Sequence, residues 1–207
     1  MATVALLLGI CYVVVVFIVE PLRLRRRTGD SGWVASLGAT AAEKTASAMF
    51  LLGCGLELSN PALVLAGVAL PRLAFPVAVA VAVAVAGAAL SVASVVLATA
   101  GQHHMGQAWR TSIDPDHPAP LVTTGPFRVV RNPTYTSLLA NSLALGLLVP
   151  TPAALVAVLV CLSALQLQTR RVEEPHLSRV HGEDYLRYAR SVGRFLPAIG
   201  RLSGFRR

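Results

Sequence analysis

Charged and polar side chains gather at two places in a chain that is otherwise rich in alanine, valine and leucine. The first is GPFRVVRNPTY, residues 125–135, which lies directly before an apolar run, and the second is RRVEE, residues 170–174, which follows that run. Arg170 and Glu174 are one helical turn apart, so they share a face and can form an ion pair. A guanidinium and a carboxylate at the edge of an apolar region also suit the mouth of a binding pocket between helices.

Long apolar segments must position these groups. The chain of 207 residues is 55% hydrophobic and 14% charged, with a mean hydropathy of +0.64, which is typical of an integral membrane protein. The segments are 2–19, 45–70, 75–101 and 136–169, the last interrupted at Pro150. Since about 20 residues cross the hydrocarbon core, the last segment predicts two short helices, and we expect an all-α protein with about five transmembrane helices.

The basic residues predict the orientation of the chain. With five spans, every Lys and Arg except Arg72 lies on one side of the membrane, and that side of a membrane protein is cytoplasmic. The N-terminus is then outside, the protein is a multi-pass protein of the inner (plasma) membrane, and any chemistry is expected at the cytoplasmic surface. The same distribution argues against two crossings within 45–70, broken at Asn60-Pro61.

The net charge also indicates the kind of partner. A formal charge of +8 that follows the topology in this way attracts anionic lipid, so membrane lipids are the expected partners. Binding of nucleic acid is not predicted, because the basic residues are explained by their place at the membrane.

Histidines follow the third apolar segment without forming a metal motif. His103 and His104 lie near Asp114, Asp116 and His117 in the sequence. Adjacent histidines on a helix point about 100° apart, and no second pair stands four residues away. The cysteines also lack ligand spacing, so no metal site is predicted.

Two further side chains have two interpretations each. Trp109 is either an anchor at the membrane interface or part of a substrate entrance. Glu57 lies within the second apolar segment, where a carboxylate is costly unless it is protonated, paired or hydrated. We expect Glu57 to face the interior of the bundle or a cavity.

The segment after the last apolar run is amphipathic. In RRVEEPHLSRVHGEDYLRYARSVGRFLP, residues 170–197, apolar residues recur at helical steps. They are Leu177, Val180, Leu186, Ala189, Val192 and Leu196. The pattern predicts a basic helix that lies on the membrane or covers the bundle.

Two stretches together resemble a known family. LVTTGPFRVVRNPTYTSLLA, residues 121–140, and the amphipathic segment 170–197 are similar to the signature of the isoprenylcysteine carboxyl methyltransferase and phospholipid methyltransferase superfamily. That signature has LVxxGP with an aromatic residue, RHPxY, a helical hairpin, an EE pair and FGEEYxxY. The resemblance covers residues 100–200 in the same order and spacing, and the chain is identified as a divergent bacterial member.

The resemblance implies an activity and a cofactor. Members bind S-adenosylmethionine in a pocket enclosed by cytoplasmic loops and the ends of the last helices, and release S-adenosylhomocysteine. The expected acceptor is a lipid or lipid-like molecule of isoprenoid or phospholipid type, such as a prenylated substrate or a lipophilic small molecule, which enters from the bilayer.

The resemblance also implies roles for individual residues. Arg170 and Glu174 are the expected catalytic residues, with Glu174 near the amino or sulfonium end of the cofactor. Arg170 is expected to face the substrate, and the position of Trp109 after the third apolar segment makes it the other expected substrate-binding residue. The expected cofactor-binding residues are Ala119, Pro120, Leu121, Val122, Phe127, Asn132, Pro133, Thr134, Tyr135 and Glu174.

The chain departs from the family signature at several positions. Asn132 stands where the family has histidine, Ala119 replaces a polar residue that is commonly histidine, and HGEDY replaces FGEEY at 181–185. Asn132 keeps a hydrogen-bonding side chain but loses the titrating imidazole. The changes at Asn132 and Ala119 are also what a catalytically degenerate scaffold of the same fold would show.

The domain organisation follows from these predictions. Residues 1–101 form the N-terminal transmembrane helices 1–3 with a cytoplasmic loop over 20–44. Residues 102–207 form the catalytic core, which includes the cofactor-binding loop, a helical hairpin at 133–169 and the C-terminal amphipathic helix.

The sequence leaves an alternative enzyme class and the acceptor atom open. An NADPH-dependent membrane reductase of the sterol type is the alternative, since that family has a similar RHPxY-like segment. The EE pair and the short chain favour the methyltransferase. The acceptor group is a carboxylate, amine, thiol or hydroxyl, and no residue selects among them.

Overall fold

Seven α-helices make up most of the part of the chain that the structure describes, which is residues 1–32, 40–110 and 120–202 of a computed structural model. They are α1 (Ala2–Val14), α2 (Glu20–Thr28), α3 (Ala41–Leu65), α4 (Val77–Met105), α5 (Pro133–Leu148), α6 (Pro152–Gln168) and α7 (Glu174–Ser191). The predicted all-α membrane protein is confirmed.

Short π-helical segments join two pairs of helices end to end. Val15–Val19 connects α1 to α2, and Thr169–Glu173 connects α6 to α7. In both places an apolar helix continues into a charged one. The loop predicted over 20–44 therefore differs from the structure at its start, because Glu20–Thr28 is helical and ends only at Gly29.

Four of the described helical stretches are long and apolar enough to cross a membrane. They are Ala2–Thr28, Ala41–Leu65, Val77–Ala108 and Pro152–Ser191. α3 continues through Pro61, so the predicted absence of a break at Asn60-Pro61 is confirmed for this helix. α5 and α6 divide the last apolar segment as predicted, but α5 has only 16 residues, fewer than the about 20 of a full span.

Small residues form the face of α4 that packs in the bundle. They recur at steps of three and four and are Ala84, Gly87, Ser91, Ser94, Ala98 and Gly101. A Cβ on Gly87 would lie 3.0 Å from the carbonyl oxygen of Ala144 in α5. Helices α4 and α5 are thus in backbone contact, as small residues permit in membrane proteins.

The helix ends gather at two opposite ends of the bundle. At one end, Asn60 Nδ2 donates to Val149 O at 3.1 Å and the Thr151 hydroxyl donates to Asn60 Oδ1 at 2.8 Å. At the other end α2 and α4 finish and α3, α5 and α7 begin, and we call this the polar end. Just inside it, a hydrogen bond of 2.8 Å joins the hydroxyls of Tyr12 and Ser137.

The residues after α7 fold back along the start of α5. The Arg131 N–H donates to Gly193 O at 2.8 Å, and the Asn132 N–H donates to Arg194 O at 3.1 Å. We call residues 192–202 the C-terminal tail. Because it is paired in this way, the tail forms part of the polar end.

Helix α7 is not the straight amphipathic helix that the sequence predicts. It bends at Gly182, where φ is 54° and ψ is −130°, a backbone conformation that glycine adopts readily. It ends at Ser191, so Leu196 of the predicted apolar stripe lies beyond it. The buried residues of α7 are Glu174, Tyr185 and Ala189.

Candidate active site at the polar end of the bundle

A carboxylate held between two guanidinium groups is buried at the polar end. Glu174 Oε1 accepts from Arg131 Nη2 at 2.6 Å and from Arg194 Nε at 2.8 Å, and Oε2 accepts from Arg194 Nη2 at 3.0 Å. The side chains of Arg131, Arg194 and Glu174 are only 2%, 7% and 10% exposed. Buried charges persist when they are paired and hydrogen-bonded. We call these three residues the ion cluster.

Arg131 also bonds to backbone carbonyls of α7 and the tail. Its Nη1 donates to Ala189 O at 2.6 Å and to Val192 O at 2.8 Å, while Nη2 donates to Gly200 O at 3.1 Å. Carbonyls at the end of a helix lack partners within the helix. The guanidinium therefore satisfies these carbonyls and holds the tail against the loop before α5.

The ion pair predicted between Arg170 and Glu174 is wrong. Arg170 is exposed, and its Nε donates to Gln166 Oε1 at 3.1 Å. The segment Thr169–Glu173 is π-helical, and its wider turn displaces residues four apart from the shared face that an α-helix gives them. The Glu174 carboxylate consequently faces the interior of the bundle, while the Arg170 guanidinium stays at the surface.

A second carboxylate contacts the tyrosine of the NPTY segment. The Tyr135 hydroxyl donates to Glu173 Oε1, and the Tyr135 ring packs edge-on against Phe195 with 6.2 Å between ring centroids. Glu43, in the first turn of α3, is buried, and its charge is within electrostatic reach of Tyr135. One carboxylate and two aromatic rings therefore lie around one place, with the charge of Glu43 acting on it, an arrangement that suits a cation.

The predicted cofactor segment lies at the start of α5. Pro133 is the first residue of α5 and is fully buried, and a Cβ on Gly101 of α4 would lie 3.2 Å from its Cγ. Phe127 is buried, and its carbonyl oxygen accepts a hydrogen bond of 2.6 Å from the Tyr188 hydroxyl. The packing of α4, α5 and α7 thus fixes the positions of Pro133 and Phe127.

The segment expected to border the adenosine is described in part. Pro120 is exposed, and Leu121 and Val122 are half-buried. Asn132 and Thr134 are half-buried as well. Ala119 lies outside the described residues.

Trp109 lies in a cleft between α2 and the end of α4. The residue is 6% exposed, and a Cβ on Gly32 would lie 2.6 Å from its Cε3. Glu20 and Gln102 also line this cleft, which has a volume of about 140 Å³. Neither Arg170 nor any predicted cofactor residue is part of its lining, so the two predicted substrate-binding residues are not brought together there.

The histidines after the third apolar segment have other contacts. His103 Nε2 lies 2.7 Å from Glu20 Oε2. Within 1–32, 40–110 and 120–202, no group of three or more His, Cys, Asp or Glu is placed to hold a metal ion. Asp114, Asp116 and His117 lie outside those residues.

Glu57 faces the interior of the bundle, as predicted. It lines a small cavity of about 20 Å³ together with Tyr12 and Asn141. Its Oε1 is buried and has no hydrogen-bond partner among the residues that the structure describes.

Several site residues receive no role from the sequence. Arg194 counts there only as a topology charge, and no local pattern in VGRFLP connects it to Glu174. Glu173 is taken as the lesser member of the EE pair, and nothing near Glu43 in the sequence connects it to Tyr135. Each becomes visible only through contacts between distant elements.

Replacing Gly125 by alanine is expected to lower the free energy of unfolding by about 1–2 kcal/mol. Gly125 has φ of 57°, and an added methyl group would overlap the imidazole of His104. Denaturant unfolding in detergent measures the loss. Gly55→Ala is the control, since Gly55 is helical and a Cβ there meets nothing within 4 Å; equal losses in the two variants would contradict the prediction.

Comparison with known proteins gives one family match and no curated relative. The chain is similar to the family model described as phospholipid methyltransferase, which matches residues 81–184. This range includes Arg131, Tyr135 and the EE pair, whereas Arg194 and Glu43 lie outside it. No curated protein matches the chain.

Proposed function

The chain belongs to the phospholipid methyltransferase family, whose model matches half of its 207 residues, and from this we propose that it transfers a methyl group from S-adenosylmethionine to a lipid or lipid-like acceptor. The family implies a methyltransferase that acts on lipid-type substrates. The chain is a multi-pass membrane protein with four long apolar helical stretches in its described part, so such an acceptor can reach it from the bilayer.

The observation that carries the proposal is the contact between Tyr135 and Glu173, within electrostatic reach of buried Glu43. S-adenosylmethionine is a sulfonium cation, and a site for it needs negative charge and apolar or aromatic surface. Glu173 and Glu43 supply the charge, while Tyr135 and Phe195 supply the rings. The residues of this place therefore fit the cofactor.

The other predicted cofactor residues complete the proposed binding site. Ala119–Val122 and Phe127 are proposed to border the adenosine, and Asn132–Tyr135 to line the cofactor. When bound, S-adenosylmethionine supplies a methyl group activated by the sulfonium. Methyl transfer depends mainly on the alignment of donor and acceptor and less on the movement of a proton. The main task of the chain is therefore to hold donor and acceptor in line.

The ion cluster is proposed to fix the wall of this site. Glu174 is next to Glu173 and is held by Arg131 and Arg194, so it keeps α7 and the tail in place behind the wall that carries Glu173. Arg170, exposed where α6 meets α7, is proposed to bind an anionic part of the acceptor.

The proposal includes a location for the reaction. Arg131, Arg170, Arg194 and the arginines of α2 all lie at the polar end. Basic residues mark the cytoplasmic side of membrane proteins. We therefore place the site on the cytoplasmic face of the inner (plasma) membrane, with 102–207 as the catalytic core and 1–101 as the helices that anchor it.

Transfer of a labelled methyl group tests this function. Membranes containing the protein are incubated with S-adenosylmethionine labelled in its methyl group and a total lipid extract, and lipids are analysed by mass spectrometry. We expect a labelled lipid that is absent with membranes lacking the protein. The mass and fragmentation of that lipid identify the acceptor as a carboxylate, amine, thiol or hydroxyl.

Calorimetry distinguishes the proposed enzyme from the alternatives. Micromolar binding of S-adenosylhomocysteine supports the methyltransferase. Binding of NADPH without binding of S-adenosylhomocysteine contradicts it and favours the sterol-type reductase. Binding of neither ligand indicates a degenerate scaffold.

A further inference from the structure

The cleft between α2 and the end of α4 has a polar lining that the proposed methyl transfer does not use. Its volume is about 140 Å³, and Arg23, Arg27, Gln102, His103 and Trp109 are among its lining residues. None of the carboxylates around Tyr135 lines it.

Gln102, which lines this cleft, carries an unsatisfied acceptor. The residue is 5% exposed, and its Nε2 donates to Val16 O at 3.0 Å. Its Oε1 is buried and has no hydrogen-bond partner in the described part of the chain. A buried acceptor without a partner is unfavourable, so a ligand that donates a hydrogen bond here would be stabilised.

The charges of the cleft favour an anion. Glu20 is buried and both of its oxygens are occupied, Oε1 by Arg23 and Oε2 by His103, each at 2.7 Å. Arg27, one turn from Arg23 on α2, has no ion pair with any described residue. An ammonium group in the cleft would find guanidinium groups and no free carboxylate, whereas a phosphate would find a charge-assisted partner.

The position of the cleft matches the headgroup level of a bilayer. The helix is apolar through Val19 and then carries the arginines of α2, and Ile18 and Leu22 are exposed beside this transition. Basic residues directly after an apolar span lie among lipid headgroups. A phosphate at this level therefore belongs to a lipid.

We propose that the cleft binds the headgroup of an anionic phospholipid with a free hydroxyl, of the phosphoglycerol type. The phosphate pairs with Arg27 and Arg23, the hydroxyl donates to Gln102 Oε1, and the Trp109 ring packs against the glycerol carbons. The site is separate from methyl transfer, so it is tested by binding alone.

Binding of short-chain phosphatidylglycerol to the detergent-solubilised protein, measured by native mass spectrometry, tests the phosphate contact. Arg27→Gln is expected to weaken this binding about tenfold. Arg26→Gln is the matched control, because Arg26 lies on the same helix, is exposed and does not line the cleft. An equal loss in the control would show general surface attraction and overturn the proposal.

A comparison of lipids tests the hydroxyl. Phosphatidylmethanol has the same charge but no hydroxyl, and the unmodified protein is expected to prefer phosphatidylglycerol about fivefold. Gln102→Met is expected to abolish that preference. Three results with the unmodified protein would each overturn the assignment: equal binding of the two lipids, tighter binding of phosphatidylethanolamine, or full competition by inorganic phosphate. These results do not depend on whether the Gln102 variant folds.

Discussion

Replacing Glu174 by glutamine is expected to lower the free energy of unfolding by about 3–5 kcal/mol. The substitution keeps the size of the side chain but removes the countercharge of Arg131 and Arg194, which are 2% and 7% exposed. Two guanidinium groups would then be buried without an anion, and Arg131 would be left with only its neutral carbonyl partners. Denaturant unfolding in detergent, followed by circular dichroism, measures the loss.

Asp184→Asn is the control for this prediction. Asp184 lies in the same helix and pairs with Arg187 at 3.4 Å, but the two side chains are 76% and 79% exposed. An exposed pair contributes about 0–1 kcal/mol, so this variant should unfold almost as the original protein does. Similar small losses in both variants would show that the ion cluster is not what holds the polar end together.

Replacing Glu173 by glutamine is expected to weaken binding of S-adenosylmethionine about 10- to 100-fold, which corresponds to ~1.5–3 kcal/mol for a hydrogen-bonded charge. The reason is the loss of a negative charge that faces the proposed sulfonium position beside Tyr135. S-adenosylhomocysteine has no sulfonium charge, so its affinity should fall much less. Calorimetry with both ligands measures the ratio of the two affinities.

Two variants control this second prediction. Glu183→Gln removes an exposed carboxylate from α7 and should change neither affinity. Tyr135→Phe removes the hydroxyl bonded to Glu173. It should weaken binding of S-adenosylmethionine less than Glu173→Gln does, because the charge of Glu173 remains. If Glu173→Gln lowers the affinity for both ligands equally, Glu173 contacts a part of the molecule that the two ligands share. Its proposed role at the sulfonium is then wrong.

Segment length and proline positions determine much of the fold, which is why the sequence predicts it. The break between α5 and α6 lies where Pro150 and Pro152 interrupt a long apolar run, since proline ends one helix and suits the first turn of the next. Pro61 does not break α3, as the distribution of basic residues predicts.

The partners of the charged residues could not be predicted from local spacing. Glu174 pairs with residues 43 and 20 positions away, and no short-range pattern connects them. The expected Arg170 pair assumes an α-helical turn, yet a π-helical turn lies at that point. The same turn decides that Glu173 faces Tyr135 while Glu174 faces the arginines.

The two motifs meet in the structure but do not contain every residue of the proposed site. GPFRVVRNPTY and the EE pair both lie at the polar end, and both fall within the family match over 81–184. Glu43 and Arg194 enter from α3 and the tail, outside both motifs. Their place depends on how the helices pack, which side-chain types alone do not specify.

The C-terminal tail makes closure of the polar end a later step of synthesis than formation of α1–α6. Arg131 emerges from the ribosome before the α5–α6 hairpin, but its partners include Glu174 and the carbonyl of Gly200, and Glu174 also needs Arg194. A nascent chain arrested just before Arg194 would hold α1–α7 and still lack a closed ion cluster. Insertion of these helices into the membrane and closure of the ion cluster are therefore separate steps.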